Sequence, residues 1–230
     1  MNGEAIGKLV WKDWYLNRLA IGLMLGGTIL GTILLSVPGK TTFSIGVSLV
    51  LSMFIALIFY LPLTTVLEER TKKTLPFIMS LPVSPAEYAA AKLSANLLLF
   101  LVPWSAGGLG AVLLASRVTD GSGAQVSHLL STGFLPAFMG GIVVLFAFIL
   151  SFAIMTESMG WTIGLIVGSM FLFGNVVTQI FPRIPGASAY LSEIGARGPA
   201  LFWTLGVEVL AVALLLVATF SLQVRKRDFL

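Results

Sequence analysis

One acidic residue, Glu208, lies inside a long apolar run of the sequence, LGVEVLAV, and it is the clearest candidate for chemistry within such a run. A carboxylate at membrane depth is costly unless it is neutralised or partnered. Asn175 lies in the preceding apolar run. If both runs are membrane-spanning helices, the axial rise puts Asn175 and Glu208 at a similar depth, roughly 10 Å below the outer surface of the membrane. Gln179 follows Asn175 by one helical turn on the same face. We predict that Glu208, Asn175 and Gln179 form an intramembrane polar cluster, which either serves transport or joins helices by hydrogen bonds.

The sequence carries no recognisable catalytic constellation. It lacks the patterns H-E-x-x-H, G-x-x-x-x-G-K-[ST] and G-x-S-x-G, so neither a zinc protease, a nucleotide-binding loop nor a nucleophile elbow is expected. It has no cysteine, which excludes disulfides and thiolate metal sites, and its single histidine, His128, cannot build a zinc site alone. We therefore predict no enzyme activity, no cofactor and no metal site on this chain.

The composition indicates a membrane protein. Hydrophobic residues make up 57% of the 230 residues and charged residues only 10%. A soluble domain carries about 25% charged residues, so this chain has too little polar surface to cover a water-soluble globule. The net charge of +4 reflects orientation in the membrane, and we expect no nucleic-acid partner.

Six apolar windows are long enough to cross the hydrocarbon core, which takes about 20 helical residues. They predict an all-α membrane protein with one transmembrane domain over residues 1–230. The fourth and fifth windows are separated only by TESMGW, which predicts a tight helical hairpin. The six windows are Leu19–Val37, Ser44–Leu67, Leu93–Ala115, Gly133–Met155, Thr162–Phe181 and Leu201–Leu222.

The lysines and arginines predict which side each segment faces. Six crossings put both termini on one side, and with that side inside, ten basic residues are internal and four external. This imbalance follows the positive-inside rule and predicts cytoplasmic termini. The external residues are Lys40, Arg117, Arg183 and Arg197.

Residues 4–18, before the first window, have an amphipathic pattern. Ile6, Leu9 and Trp14 share a broad apolar face, with Lys8 and Lys12 opposite, which is typical of a helix lying in the membrane interface. Asp13 falls within the apolar face and weakens the pattern. The alternative is a charged flank that anchors the first span.

The loop over residues 68–92, EERTKKTLPFIMSLPVSPAEYAAAK, is the longest densely charged run, and we predict that it faces the cytoplasm. Thr74 can cap a short helix that displays Leu75, Phe77, Ile78 and Leu81. The sequence S-P-A-E, from Ser84, is a capping box with proline at the first helical position. The apolar side chains either dock to another protein or dip into the lipid headgroups.

Residues 182–200 combine prolines and glycines around SAYLSEI, which predicts a short helix outside the membrane.

Glycine pairs spaced by four residues permit two helices to approach each other closely. The pairs are Gly27/Gly31 and Gly164/Gly168.

The order of residues in the loop resembles that in one family. The acid-acid-basic entry, then K-T-L, S-L-P-V-S, an acid and a lysine, is similar to the cytoplasmic loop of ABC-type-two exporter permeases. The six-span layout with an N-terminal interfacial helix and a basic tail is similar as well. The resemblance implies that Thr74–Leu81 is a coupling helix seated on an ATPase, with Glu68, Glu69 and Arg70 at its entry and Glu157 in a second, smaller contact. It also implies that residues 182–200 are partly re-entrant.

The resemblance implies the transmembrane subunit of an ATP-binding cassette exporter in the bacterial plasma (inner) membrane. Two permease subunits, identical or paralogous, would form the pathway in the lipid bilayer. Each would engage one of two separate ATPase subunits, which bind the ATP and Mg²⁺. Two alternatives remain open at this stage. One is a self-contained ion-coupled carrier that uses Glu208, and the other is a membrane scaffold that does not transport.

Overall fold

The computed structural model describes residues 3–37, 39–71, 85–115, 133–156, 158–175, 185–195 and 198–225, together with residue 183. Within these ranges the extended regular elements are helices, as the apolar runs predict. Eight α-helices and one π-helical turn are described: α1 (Gly3–Ser36), α2 (Lys40–Pro62), the π turn (Leu63–Leu67), α3 (Glu68–Thr71), α4 (Pro85–Ala115), α5 (Phe134–Thr156), α6 (Met159–Asn175), α7 (Ala187–Gly195) and α8 (Pro199–Arg225).

Five of the described helices are long and apolar enough to cross a membrane, and a sixth is shorter. The long spans are Ile6–Ser36, Thr41–Leu67, Glu87–Gly110, Leu135–Thr156 and Pro199–Val224. In α6 the apolar part covers Met159–Phe171, so the predicted fifth span is shorter than expected in the described residues. The helices are compatible with a multi-pass integral membrane protein, and the all-helical class is confirmed.

Contacts between helix ends define two ends of the bundle. A small cavity lined by Val66, Tyr88, Lys92, Ile154 and Gln223 brings together the π turn that follows α2, the start of α4 and the ends of α5 and α8. We call this the loop end, because the segment 72–84 connects the helices there.

At the far end, α7 packs beside the starts of α5 and α8. Ile194 forms a small buried cluster with Leu201, and the carbonyl of Ile194 lies beside Gly133. The chain leaves α5 at the loop end and reaches α7 at the far end, so α6 and the residues after it connect the two ends.

Residues 4–18 are not a separate helix, which corrects our expectation. They continue into the first span as one uninterrupted helix of 34 residues, α1. At about 1.5 Å per residue α1 is about 51 Å long, well beyond the roughly 30 Å of a hydrocarbon core. Asp13 and Asn17 are buried between helices, and this packing holds the N-terminal turns in line with the span.

The core lies between α2, α4 and α5. Phe54, Phe100 and Phe146 are fully buried, one from each helix, and the rings of Phe100 and Phe146 stack with centroids 4.1 Å apart. Apolar burial does not drive association within lipid, so close packing of this kind has to stabilise the bundle.

The π turn directly follows Pro62, the last residue of α2. Proline has no backbone N–H to donate and crowds the preceding turn, which disturbs the regular hydrogen-bond pattern. Such π-helical turns are rare and frequently lie at functional sites. Here the turn carries the chain into α3 and to the loop end. On the other side of the loop, the described part of α4 starts at Pro85, and Ser84 of the predicted capping box lies outside the described residues.

Candidate functional site

An ion-pair network at the loop end joins the two helices that flank the loop to the N-terminal helix. It consists of Lys12 and Asp13 from α1, Glu69 from α3, and Tyr88 and Lys92 from α4. Glu69 lies shortly before residues 72–84 and Tyr88 shortly after them. The network therefore fixes both ends of the loop to the same point.

Lys92 is the centre of the network. Its Nζ lies 2.7 Å from Asp13 Oδ2 and 2.9 Å from Glu69 Oε2. Tyr88 donates its hydroxyl to the same Glu69 oxygen at 2.9 Å, and its ring lies 5.7 Å from Lys92 Nζ. Lys12 donates to Glu69 Oε1, so both oxygens of that carboxylate are engaged.

Most of the network is buried, with Lys12 at its edge 36% exposed, and its charges balance. The side chains of Lys92 and Asp13 are 3% and 4% exposed, and that of Glu69 is 12% exposed. Lys12 completes the balance of two cations against two anions. Buried charges are tolerated only when each is paired and hydrogen-bonded, because removal from water costs several kcal/mol per ion. The arrangement therefore depends on all its members.

The carboxyl group of Glu69 responds to two opposing effects. Burial alone would raise its pKa, but the ammonium groups of Lys92 and Lys12 outweigh burial and hold the pKa below its ordinary value of 4.5. Glu69 is therefore a carboxylate at neutral pH, able to accept all three hydrogen bonds.

A second layer of polar side chains lies one helical turn deeper. Asn17 follows Asp13 on α1, and its Nδ2 donates to Asp13 O at 2.9 Å. Asn96 follows Lys92 on α4, and its Nδ2 donates to Lys92 O at 2.9 Å. Both asparagines are buried.

Threonines of the π turn complete this layer. Thr65 Oγ1 lies 2.8 Å from Asn96 Oδ1, and Thr64 Oγ1 lies 3.4 Å from Asn17 Oδ1. The π turn thus presents one hydroxyl to α4 and the other to α1. The same three chain segments are joined twice, once by charges and once by neutral hydrogen bonds.

The end of α8 is also attached at the loop end. Gln223 is buried, and its Nε2 donates to the carbonyl oxygen of Ile154, near the end of α5, at 2.6 Å. A displacement at the loop end is therefore opposed by contacts from several helices.

Few of the predicted coupling residues lie within the described residues. Glu69 is in the network, Glu68 is half-buried beside it in sequence, and Arg70 is described only as part of α3. The remaining coupling residues and one polar-cluster residue lie outside the described residues: Thr74, Leu75, Phe77, Ile78, Leu81, Glu157 and Gln179.

Glu208 packs against α5. Its carboxyl group lies over Gly140, where a Cβ atom would be too close to Oε2. That oxygen is buried and has no hydrogen-bond partner among the described residues. Asn175 is exposed and donates to Phe171 O within its own helix. No hydrogen bond therefore joins Glu208 Oε2 to Asn175, and Gln179 is not described.

The sequence carries signals for the network in two polar pairs. Asp13 and Asn17, like Lys92 and Asn96, are spaced by four residues, which places each pair on one helix face. The opposite charges of Asp13 and Lys92 suit each other as partners. Asp13 is therefore part of a buried ion pair and not a flaw in an amphipathic face.

The charged groups of the network bind one another and thereby join the helices that carry them. They neutralise one another and leave no free nucleophile, and within the described ranges no group of three His, Asp or Glu residues can hold a metal ion.

No protein-family model matches the chain, and no curated protein or solved structure matches it.

Proposed function

We propose that this chain is the transmembrane subunit of an ATP-driven exporter, moved by a separate ATPase that docks on the loop over residues 72–84. The observation that carries the proposal is the ion-pair network at both ends of that loop. The resemblance of the loop sequence to ABC-type-two permeases supports the identity of the partner.

The network suits the transmission of force. A force applied to residues 72–84 reaches Glu69 on one side and Tyr88 on the other, and these two side chains are hydrogen-bonded to each other. Through Lys92 the force also reaches Asp13 of α1. A docked ATPase would therefore move the loop-end parts of α1, α2 and α4 as one unit.

The remainder of the assembly follows from the same proposal. Two such subunits form the pathway, each with one ATPase, and ATP and Mg²⁺ bind to the ATPases. The outer surfaces of α6 and α8 are largely apolar, with Trp161, Phe171 and Trp203 exposed, and they suit contact with lipid or with a second subunit. The bacterial plasma membrane is the location that accords with this family.

Co-purification with an ATPase tests the proposal. Wild-type protein should retain a P-loop ATPase in mild detergent, and Phe77→Asp should lose it, because a charge on the docking face must be desolvated. Phe77→Leu keeps the apolar face and should retain the ATPase. Retention by Phe77→Asp contradicts the docking site.

ATP hydrolysis distinguishes transport from scaffolding. In proteoliposomes the complex should hydrolyse ATP faster when transported substrate is added. An ATPase that binds but shows no response to any substrate tested and moves none of them would favour the scaffold.

The buried Oε2 atom of Glu208 favours one second candidate, an ion-coupled carrier. A buried carboxyl oxygen without a partner is a default binding site for a proton or cation in a membrane protein. That candidate requires transport without an ATPase and its loss in Glu208→Gln. An exporter driven by ATP retains transport in the same variant.

A further inference from the structure

A cavity of about 350 Å³ lies between four helices, toward the far end of the bundle. It is bounded by α1 at Thr32, by α2 at Val47 and Phe54, by α4 at Gly108 and by α5 at Met139. These positions are in the second half of α1 and α4, in the first half of α5, and in the first half and middle of α2. The cavity is therefore remote from the ion-pair network.

The described lining of the cavity is almost entirely apolar. Thr32 is the one polar side chain among the described residues that line it. The Thr32 hydroxyl donates to Thr28 O at 2.7 Å and is thereby satisfied within α1. A buried water needs two to four polar partners, and apolar cavities of about 150 Å³ stay dry and take up benzene or xenon.

Phe138 is the lining residue that links the cavity to the surface, because it borders the cavity and is itself exposed. This side chain is 44% exposed, whereas Phe54 on the inner wall is 1% exposed. Phe138 lies in the second turn of α5, within the span Leu135–Thr156. If α5 crosses the bilayer, the mouth opens to hydrocarbon chains rather than to water.

We infer that the cavity binds one acyl chain of a membrane phospholipid. A hydrocarbon chain matches the lining, fills a space that would otherwise lack contacts, and enters without crossing water. Among the described lining residues the one polar side chain is Thr32, whose hydroxyl already donates within α1, so the lining suits a hydrocarbon chain rather than the headgroup, which stays outside beyond Phe138. The inference is independent of the ATPase proposal.

Trp104 is a natural reporter for this site. Its indole Nε1 donates to the carbonyl oxygen of Met139, a lining residue, at 3.1 Å. The protein has five tryptophans, so a variant with only Trp104 requires four substitutions, Trp11→Phe, Trp14→Phe, Trp161→Phe and Trp203→Phe. Bromine atoms on an acyl chain in the cavity should quench its fluorescence.

The test titrates a phosphatidylcholine with brominated acyl chains into the single-tryptophan protein in detergent. We expect saturable quenching of Trp104. Gly108→Leu should remove the saturable part, because a Cβ at residue 108 would approach the flexible end of Met139 and the rest of the side chain would occupy the cavity. Val47→Phe, on the opposite wall, should have the same effect.

Gly26→Leu is the matched control. Residue 26 is exposed on α1, and a Cβ there would meet no atom within 4 Å. This variant should retain the saturable quenching. Absence of saturable quenching in the parent, its persistence in both filled variants, or its equal loss in Gly26→Leu would overturn the inference.

Discussion

Lys92 and Asp13 are 79 residues apart in the sequence, yet their side chains form a buried hydrogen-bonded ion pair of 2.7 Å. The pair joins the start of α4, the helix that follows residues 72–84 in the sequence, to α1. Both charged groups are buried, so neither can be hydrated in place of being paired, and the contact constrains how the N-terminal helix packs. The loop end is therefore held by specific charges, while the rest of the bundle is held by apolar packing.

Loss of the Lys92 charge should destabilise the protein strongly. Lys92→Met leaves Asp13 and Glu69 without their common partner, and breaking a buried pair from one side costs about 3–5 kcal/mol. Lys8→Met is the control, since Lys8 and Glu4 are 76% and 74% exposed and such surface pairs contribute about 0–1 kcal/mol. Unfolding in mixed micelles measures both variants.

The double variant separates charge from packing. Asp13→Asn combined with Lys92→Met removes one anion and one cation, so it should cost less than the sum of the single substitutions. Strict additivity would show that the two side chains do not interact.

The contribution of Glu69 should depend on pH. Its pKa is lowered in the folded protein, so its stabilising effect is present above the ordinary value of 4.5 and is lost as the pH falls through the folded value. Glu69→Gln should therefore be less stable than the parent at neutral pH, and the difference should shrink below pH 4.5. An unchanged difference across this range would contradict the assignment. Glu4→Gln, at an exposed position, should show little difference at any pH.

The crossing of α1 and α2 should not tolerate a side chain at Gly46. A Cβ there would lie 2.8 Å from the carbonyl oxygen of Gly31 and 3.0 Å from Leu35 N, both backbone atoms. Gly46→Ala should destabilise the protein by about 1–3 kcal/mol through overpacking. Gly26→Ala, with no neighbour within 4 Å, should be neutral or slightly stabilising.

The side of the membrane that each end faces can be measured directly, because the chain has no cysteine to remove. Single cysteines at Gly3 and Ser122 probe the N terminus and the predicted outer loop. In intact cells a membrane-impermeant maleimide should label Ser122→Cys and should label Gly3→Cys only after lysis. The reverse pattern would invert the orientation predicted by the positive-inside rule.

Hydropathy predicted the helices better than the contacts between them. The apolar runs located the five long apolar helices, because such runs depend on local sequence. The ion pair of Lys92 with Asp13 depends on a contact across 79 residues, which no local pattern specifies. Asp13 therefore looked like a defect in an amphipathic helix, whereas it is a partner for a buried cation.

The glycine pairs show the same limit. Gly27 and Gly31 face α2, where added Cβ atoms would contact Met53 and Val50. Gly164 and Gly168 have the same spacing, but nothing lies within 4 Å of a Cβ at either position. Spacing shows that close approach is possible, and the partner helix decides whether it occurs.

Photo-crosslinking at Phe77 tests the central claim most directly. A benzophenone amino acid placed at residue 77 should form, in living cells, one adduct whose partner is identified by mass spectrometry as a P-loop ATPase. The same amino acid at Trp203, which is exposed near the start of α8 at the far end, should give no such adduct. An adduct with the ATPase at residue 77 alone is the predicted result. The control requires that the protein is inserted in the membrane and that the benzophenone amino acid is present at residue 77. If no ATPase adduct then forms from residue 77, the result contradicts the proposed docking of an ATPase on this loop.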